Sequence, residues 1–463
     1  MKKVLVLVLV AVVFALTLSL TGCEPAGLRE FNISFVANGE VIATVKESDT
    51  ENLWPVPQRG GYAFEGWYFD EGVWDEPFHP APLPFAKAMT EDTSVYAKWS
   101  EPLFVVENGD ITSVTERGAR ETKLTFPAEI DGAPITKIAN QAFRQNETLT
   151  QIVIDGVPEI GSATFSRCKG LTSIEIKDGV KKIGKSAFSS CSKVTAITVP
   201  DSVTTIGSSA FYLCNALNKI VIGNGVTTIG ESAIRSCVGL KEVVIGTSVK
   251  SIGASVLEDA VNLEKVTIPY VGENADGSGA THLGYLFGVA DHTEHGDLRV
   301  PSTLTTVEVT NTKAVPDYAF HGCKNLTSVK LNDGLERIGN CAFDECEKLA
   351  RITLPHSVTT GGFSAFAKCT GLTQIALGSG LTDLGQYAFY GCTGLDVVHL
   401  PASLTRIGKS AFKGCTALTG VTLINAEGWS AGDAPMDVTS AQNRALMAEL
   451  LTGEYVTKEL TRG

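Results

Sequence analysis

The sequence predicts a mostly β protein: a long solenoid of stacked parallel strands, preceded by a small, separately folded domain. Three observations carry this expectation. A period of 23 residues runs from Ile138 to Leu423. Each period contains one stretch in which apolar and polar residues alternate. Segment 31–100 lacks the period yet holds four of the five tryptophans, Trp54, Trp67, Trp74 and Trp99. A short frame with isolated apolar positions cannot close its own core and has to bury them against its neighbours.

The clearest frame reads Ile183-Gly184-Lys185-Ser186-Ala187-Phe188-Ser189-Ser190-Cys191, followed by Val194, Ile197, Val199-Pro200 and Val203. Counting irregular copies, eleven frames begin, at Ile138, Ile160, Ile183, Ile206, Ile229, Ile252, Val315, Ile338, Gly361, Leu384 and Ile407. The one long step, from Ile252 to Val315, holds an insertion at 270–298. Ile197 and Val199 alternate with Ala196, Thr198 and Pro200, the period of a strand with one buried face. The pattern recurs at Ile174 and Ile176, Ile220 and Ile222, and Val398 and Leu400. Each frame therefore adds one strand to a parallel ladder.

Across the coil from that strand sits an Ala-Phe pair, as in Ala187-Phe188, Ala210-Phe211 and Ala342-Phe343, where a small residue and a ring interlock between layers. Regular rings inside a repeat read as core rather than as a ligand platform. Nine cysteines share one frame position, from Cys168 to Cys415. Stacked in register their Cβ atoms would lie roughly 4.7–4.9 Å apart, slightly beyond the roughly 3.5–4.5 Å of a disulfide. They read as buried free thiols, and a spacing of 23 lacks the clustering that zinc requires. Cys341 stands outside the column, where other frames place Ser or Tyr.

At this level of detail a resemblance emerges. Leu171-x2-Ile174-x-Ile176, with Cys168 three residues ahead, resembles a leucine-rich repeat. The Ile-Gly-x-x-Ala-Phe-x-x-Cys form is similar to the BspA-type class of bacterial surfaces. The resemblance spans 103–424 and implies a right-handed leucine-rich-repeat solenoid. For the family it implies adhesion and partner binding, and no catalysis.

Met1-Lys2-Lys3 and the apolar run from Val4 to Leu20 have the charged and greasy regions of a secretory leader. The run ends in Leu20-Thr21-Gly22-Cys23, which resembles the bacterial lipobox. That resemblance implies removal of 1–22, acylation of Cys23 and membrane anchoring on the extracellular face of the envelope. An uncleaved anchor is the alternative, because the run is near the lower length limit for spanning a bilayer. The formal net charge of −13 argues against nucleic acid as a partner and against general attraction to anionic membranes.

In segment 31–100, Phe31 to Phe35 alternates like a strand, Asn38-Gly39 signals a hairpin and Val41 to Val45 is the returning strand. Arg59-Gly60-Gly61-Tyr62-Ala63-Phe64-Glu65-Gly66-Trp67-Tyr68, then Val95-Tyr96-Ala97-Lys98-Trp99, resembles the Listeria-Bacteroides repeat, which implies a small β-grasp-like domain. In so small a domain Tyr62, Phe64, Trp67 and Trp99 read as core. Trp74, in a proline-rich stretch, is the ring expected at the surface and the candidate for sugar stacking.

Residues 103–135 read as degenerate strands covering one end of the solenoid. The C-terminal cap, 425–463, includes a short helix expected between Ser440 and Leu451. The insertion gathers His282, His292 and His295, with Asp291 and Glu294 as further metal-ligand candidates; His292 and His295 lie at i and i+3. Tyr285 and Phe287 in the same insertion are candidates for an exposed contact patch. The outward strand positions, including Glu175, Thr198, Val221 and His399, lack the aromatic and Arg anchors that dominate interfaces.

No phosphate loop and no His-Glu-x-x-His motif is present, so no catalytic residue and no cofactor is assigned. The expected function is non-catalytic binding of a host matrix or surface protein by an anchored scaffold. The alternatives are a carbohydrate-binding lipoprotein for nutrient capture and a metal-dependent enzyme built on the insertion.

Overall fold

The computed structural model describes residues 31–46, 55–75, 77–78, 91–290, 299–423, 429–431, 434–435, 451–452 and 459–462. It divides into two units, Met1–Glu101 and Pro102–Gly463. In the first, β1 (Asn32–Ala37) and β2 (Glu40–Lys46) form an antiparallel hairpin. Asn38 (φ 53°) and Gly39 (φ 80°) are both left-handed at its turn, as a type I′ turn demands. With β3 (Phe64–Tyr68), β4 (Pro77–Phe78) and β5 (Thr93–Trp99) they make a mixed sheet in the order β2-β1-β5-β3-β4, with β1 parallel to β5.

The core of this unit is Ile33, Phe35, Ala37, Trp67, Phe78, Val95 and Ala97. Phe35 and Trp67 meet edge to face at 4.8 Å, and the Trp67 indole donates to the Pro55 carbonyl at 3.0 Å. Of the four rings expected inside, only Trp67 is fully buried. Phe64 and Trp99 pair at the end of the sheet, where its cover thins, and Tyr62 is half-buried beneath the Arg59 guanidinium at 4.0 Å.

In the second unit each of the eleven frame starts is the second residue of a two-residue strand, such as Lys182–Ile183. These strands pair in parallel with their equivalents one frame away. Among the described residues, thirteen longer strands, from Lys123–Pro127 to Gly420–Leu423, stand across the coil. Inward Ile197 and Val199 are buried while Ala196 and Thr198 are exposed. A third ladder joins the turns: the amides of Ser186, Phe188 and Ser190 donate to the carbonyls of Ser208, Ala210 and Tyr212 in the next coil, at 2.9, 2.8 and 2.6 Å. Ser186 and Ser190 reach these acceptors with φ of 54° and 62°.

Between these edges the phenylalanines form a column. Phe165, Phe188 and Phe211 stack at 5.5 and 5.7 Å, and Phe320, Phe343, Phe366, Phe389 and Phe412 at 5.0 to 5.4 Å. Ile234 and Leu257 fill the ring position between the two runs. Charged pairs such as Lys182–Glu159 and Lys368–Glu345 link neighbouring coils at the surface, each contributing about 1 kcal/mol or less.

The cysteine column is buried and unbridged. Its geometry explains the choice of residue: eight of its thiols, those of Cys168, Cys191, Cys214, Cys237, Cys346, Cys369, Cys392 and Cys415, donate to the carbonyl of the phenylalanine one coil earlier. Examples are Cys168 to Phe143 at 3.0 Å, Cys214 to Phe188 at 3.3 Å and Cys392 to Phe366 at 3.0 Å. Burial pushes the Cys168 thiol up from an ordinary 9.0 to about 11 and the Cys323 thiol to about 12. Folding therefore favours the protonated form: the stabilisation is complete below pH 9 and lost as pH rises toward 11 and beyond. Replacing Cys168 by Ala should flatten the loss of unfolding free energy between pH 8 and 10.5 by on the order of 1 to 2 kcal/mol, measured by urea unfolding. Parallel pH profiles for parent and variant would contradict this.

The long step hides one more coil. Long strands Lys265–Ile268 and Thr306–Val309 pair directly, so residues 270–290 belong to a single enlarged turn of the solenoid. Leu304, Val307 and Val309 take the inward places that Leu263, Val266 and Ile268 hold one coil earlier. The short-strand ladder is interrupted: the Ile252 amide donates to Glu273 O at 2.8 Å, and Ser251 bridges Asn274 antiparallel. The ladder resumes at Val315 and is closed beyond Arg406–Ile407 by the antiparallel strand Leu460–Arg462. Of the helix expected between Ser440 and Leu451, only Leu451, helical and buried, lies within the described residues.

Candidate functional site

Two places in the second unit depart from the repeat and gather chemistry. The first is the turn edge of the frames that begin at Val315, Ile338, Gly361 and Leu384. The outward turn positions held by Ser186 and Ser189 become Tyr318 and His321, then Cys341 and Asp344, and finally Tyr387 and Tyr390. Stacking brings these residues together although they lie in different frames.

Tyr318 meets His321 edge to face at 5.9 Å, and His321 Nδ1 lies 3.3 Å from Asp344 Oδ2. Phe363, Tyr387 and Tyr390 form an edge-to-face run with centroids 5.6 and 5.8 Å apart. Phe363 is 45% and Tyr390 37% exposed. Lys368 pairs with Glu345 at 2.7 Å beside them.

Cys341 occupies the slot of Ser186 and is hydrogen-bonded to the Tyr318 phenol of the preceding coil. Burial first, and then the Asp344 charge, pushes its thiol up to about 11. It is a thiol at neutral pH, whereas a nucleophilic cysteine needs the opposite shift. The frame consensus conceals this cluster, and reading the third and sixth positions after each frame start down the repeat would have exposed it.

The second place is the enlarged coil. Leu283–Phe287 forms a 3-10 turn that continues the turn ladder: Leu257 N donates to Leu286 O at 2.7 Å, and Leu283 N donates to Ala319 O at 2.8 Å. Leu286 thus takes, as acceptor, the place of a repeat's alanine, and Leu283, as donor, the place of its phenylalanine. Phe287 is 1% exposed, which corrects the expectation of a surface ring. Tyr285 remains half-exposed and lines a pocket of ≈ 450 Å³ together with Ser255, Glu273, Thr281 and a buried His282.

Of the other residues singled out in the sequence, Cys23, His292 and His295 lie outside the described residues. No group of three or more potential metal ligands occurs among the described residues. Trp74 is half-buried at φ 58°, edge to face with Tyr68 at 5.6 Å. No helix among the described residues is long and apolar enough to cross a membrane.

Comparison with known proteins follows the same division. The BspA type leucine rich repeat region matches residues 134–270 and 302–426 in six copies, and the Listeria-Bacteroides repeat domain matches 31–98. Among solved structures, a leucine rich cell surface protein from Faecalibacterium prausnitzii A2-165 is 31% identical, with 70% of this chain and 93% of that one covered at a TM-score of 0.33. A leucine-rich repeat protein from Bacteroides ovatus is 24% identical, covering 73% and 85% at 0.32. Pneumococcal vaccine antigen PcpA is 23% identical, covering 71% and 80% at 0.33. No functionally curated protein matches. Proteins built on this repeat are bacterial surface proteins that act as interaction scaffolds. With its stacked coils and more than half its length matched, the chain belongs to the BspA-type leucine-rich repeat family.

Proposed function

We propose that this protein is an adhesin of the bacterial surface, lipid-anchored through Cys23, that captures a host or environmental protein on the turn edge between Tyr318 and Tyr390. The observation that carries the reading is the aromatic run Phe363–Tyr387–Tyr390, with Phe363 and Tyr390 exposed, beside the Lys368–Glu345 pair. Aromatic anchors in a mixed-charge rim are the side chains that dominate interface energy. The outward face of the long strands offers instead Thr198, Val221, Val244, Thr267 and Thr353.

The test is binding of the protein, with Cys23 replaced, to arrays of matrix proteins and glycans. A partner seated on this edge should bind about 30-fold more weakly to the double variant Phe363→Ala/Tyr390→Ala, equivalent to about 2 kcal/mol. Undiminished binding would move the contact elsewhere, and glycan binding lost in Trp74→Ala would favour carbohydrate capture. Anchoring is tested separately: incorporation of a labelled fatty acid should vanish in Cys23→Ala.

A further inference from the structure

We propose that the pocket of the enlarged coil binds a primary ammonium group, seated between the Glu273 carboxylate and the Tyr285 ring. This site goes beyond the adhesive reading and does not depend on it. Its volume, ≈ 450 Å³, falls within the roughly 300–1,000 Å³ of small-molecule sites. His282 (2% exposed) and Val289 (2%) lie at its base, and Gly279 and Ala290 are exposed at its rim. Among the described residues the lining holds no lysine or arginine, and its small residues Ala254, Gly279, Ala280 and Gly288 leave room beside one carboxylate and one phenol ring.

The carboxylate is held ready. Glu273 O accepts the Ile252 amide at 2.8 Å and the Tyr270 hydroxyl at 3.3 Å, which ties the residue to the end of the short-strand ladder. Its Oε2 accepts the Ala280 amide at 3.2 Å. A Cβ on Gly279 would stand 2.2 Å from that same oxygen, so the absence of a side chain there is what lets the carboxylate lie against the loop. The arginines of this region are engaged elsewhere: Arg235 and Arg299 reach Glu258, at 3.2 and 3.5 Å.

The sign of the field agrees. The phenols of Tyr270 and Tyr285 are both raised, first by burial and then by neighbouring negative charge, Glu273 acting on both and Glu231 on Tyr285. Burial opposes charge of either sign, but the negative charge of Glu273 and Glu231 opposes a phenolate and favours a cation, and an ammonium gains from a carboxylate on one side and a ring face on the other. The group could be carried by a free diamine or by a lysine side chain of a bound polypeptide.

Calorimetric titration of the full chain tests this with three probes: putrescine, its uncharged analogue 1,4-butanediol, and Nα-acetyl-lysine methylamide. The expected result is saturable binding of putrescine and none of butanediol. Affinity should fall at least ten-fold in Glu273→Gln, whose amide oxygen keeps the Ala280 hydrogen bond, and should weaken in Tyr285→Leu, with thermal midpoints matching the parent. Binding of the lysine derivative as well as putrescine would assign the site to a polypeptide's lysine, and binding of putrescine alone to a free amine. Absence of saturable binding by either ammonium, equal binding of butanediol, or unchanged affinity in both variants would overturn the proposal.

Discussion

Gly230→Ala is expected to lower stability by about 3 kcal/mol or more, while Gly334→Ala changes it by less than about 1 kcal/mol. Both replace a glycine in the solenoid by the smallest chiral residue, so the difference isolates the contact made by one methyl group. At Gly230 the new Cβ would stand 2.4 Å from Ser208 N and 2.7 Å from Gly207 C. Both atoms are backbone of the preceding coil, and the Gly230 amide is itself bonded to Ile206 O at 2.8 Å. Relief requires parting two coils and stretching that ladder. At Gly334 the Cβ meets only the Asn332 amide nitrogen, at 3.5 Å. Because stacked repeats need not unfold in one step, the measurement is hydrogen exchange resolved along the chain together with urea unfolding. The Gly230 variant should lose protection in the coils on either side, and equal behaviour of the two variants would refute close backbone approach as the role of the Ile-Gly pair.

Phe366→Ala should cost about 3 to 5 kcal/mol, and Phe363→Ala, three residues earlier, no more than about 0.5 kcal/mol. Phe366 is 1% exposed and stacked between Phe343 at 5.0 Å and Phe389 at 5.4 Å, so its loss opens a cavity walled by two rigid rings that cannot collapse into it. Phe363 is 45% exposed and its ring pairs edge to face with Tyr387. Denaturant midpoints of the two variants decide the matter. Similar losses would mean that the outward ring is structural, and would remove the aromatic edge from consideration as a contact face.

The repeat was legible because its period fixes which residues face inward. The places of Ile183, Ala187, Phe188, Cys191 and Val194 recur at the same depth in the coils that follow, so a single frame predicts the others. Legibility failed where the period does. Leu283 and Leu286 fill frame places without the 23-residue spacing or a preceding Ile-Gly, and Phe287 beside them read as surface when it is a buried ring. The turn edge escaped for the opposite reason: Tyr318, Cys341 and Tyr387 are substitutions within an intact period, and their proximity arises only on stacking. In the N-terminal unit the hairpin at Asn38-Gly39 was read from backbone preference alone. The burial of Phe64 and Trp99 was overestimated because strand ends are covered less than strand centres, and that of Tyr62 because it lies ahead of the strand.

The hydrogen bonds that join one coil to the next run in two opposed directions. Cysteine thiols donate toward the N-terminus, as Cys191 does to Phe165, while turn amides donate toward the C-terminus, as Phe188 does to Ala210. Every regular coil therefore presents the same donors and acceptors on its upper face as its neighbour does, and likewise on its lower face. Excising one whole coil, for example residues 184–206, would bring together two faces that already match, leaving neither a thiol without a carbonyl nor an amide without an acceptor. Gene duplication or loss in units of 23 codons thus changes the reach of the molecule without requiring a new interface to evolve, whereas a partial unit would strand donors of both kinds.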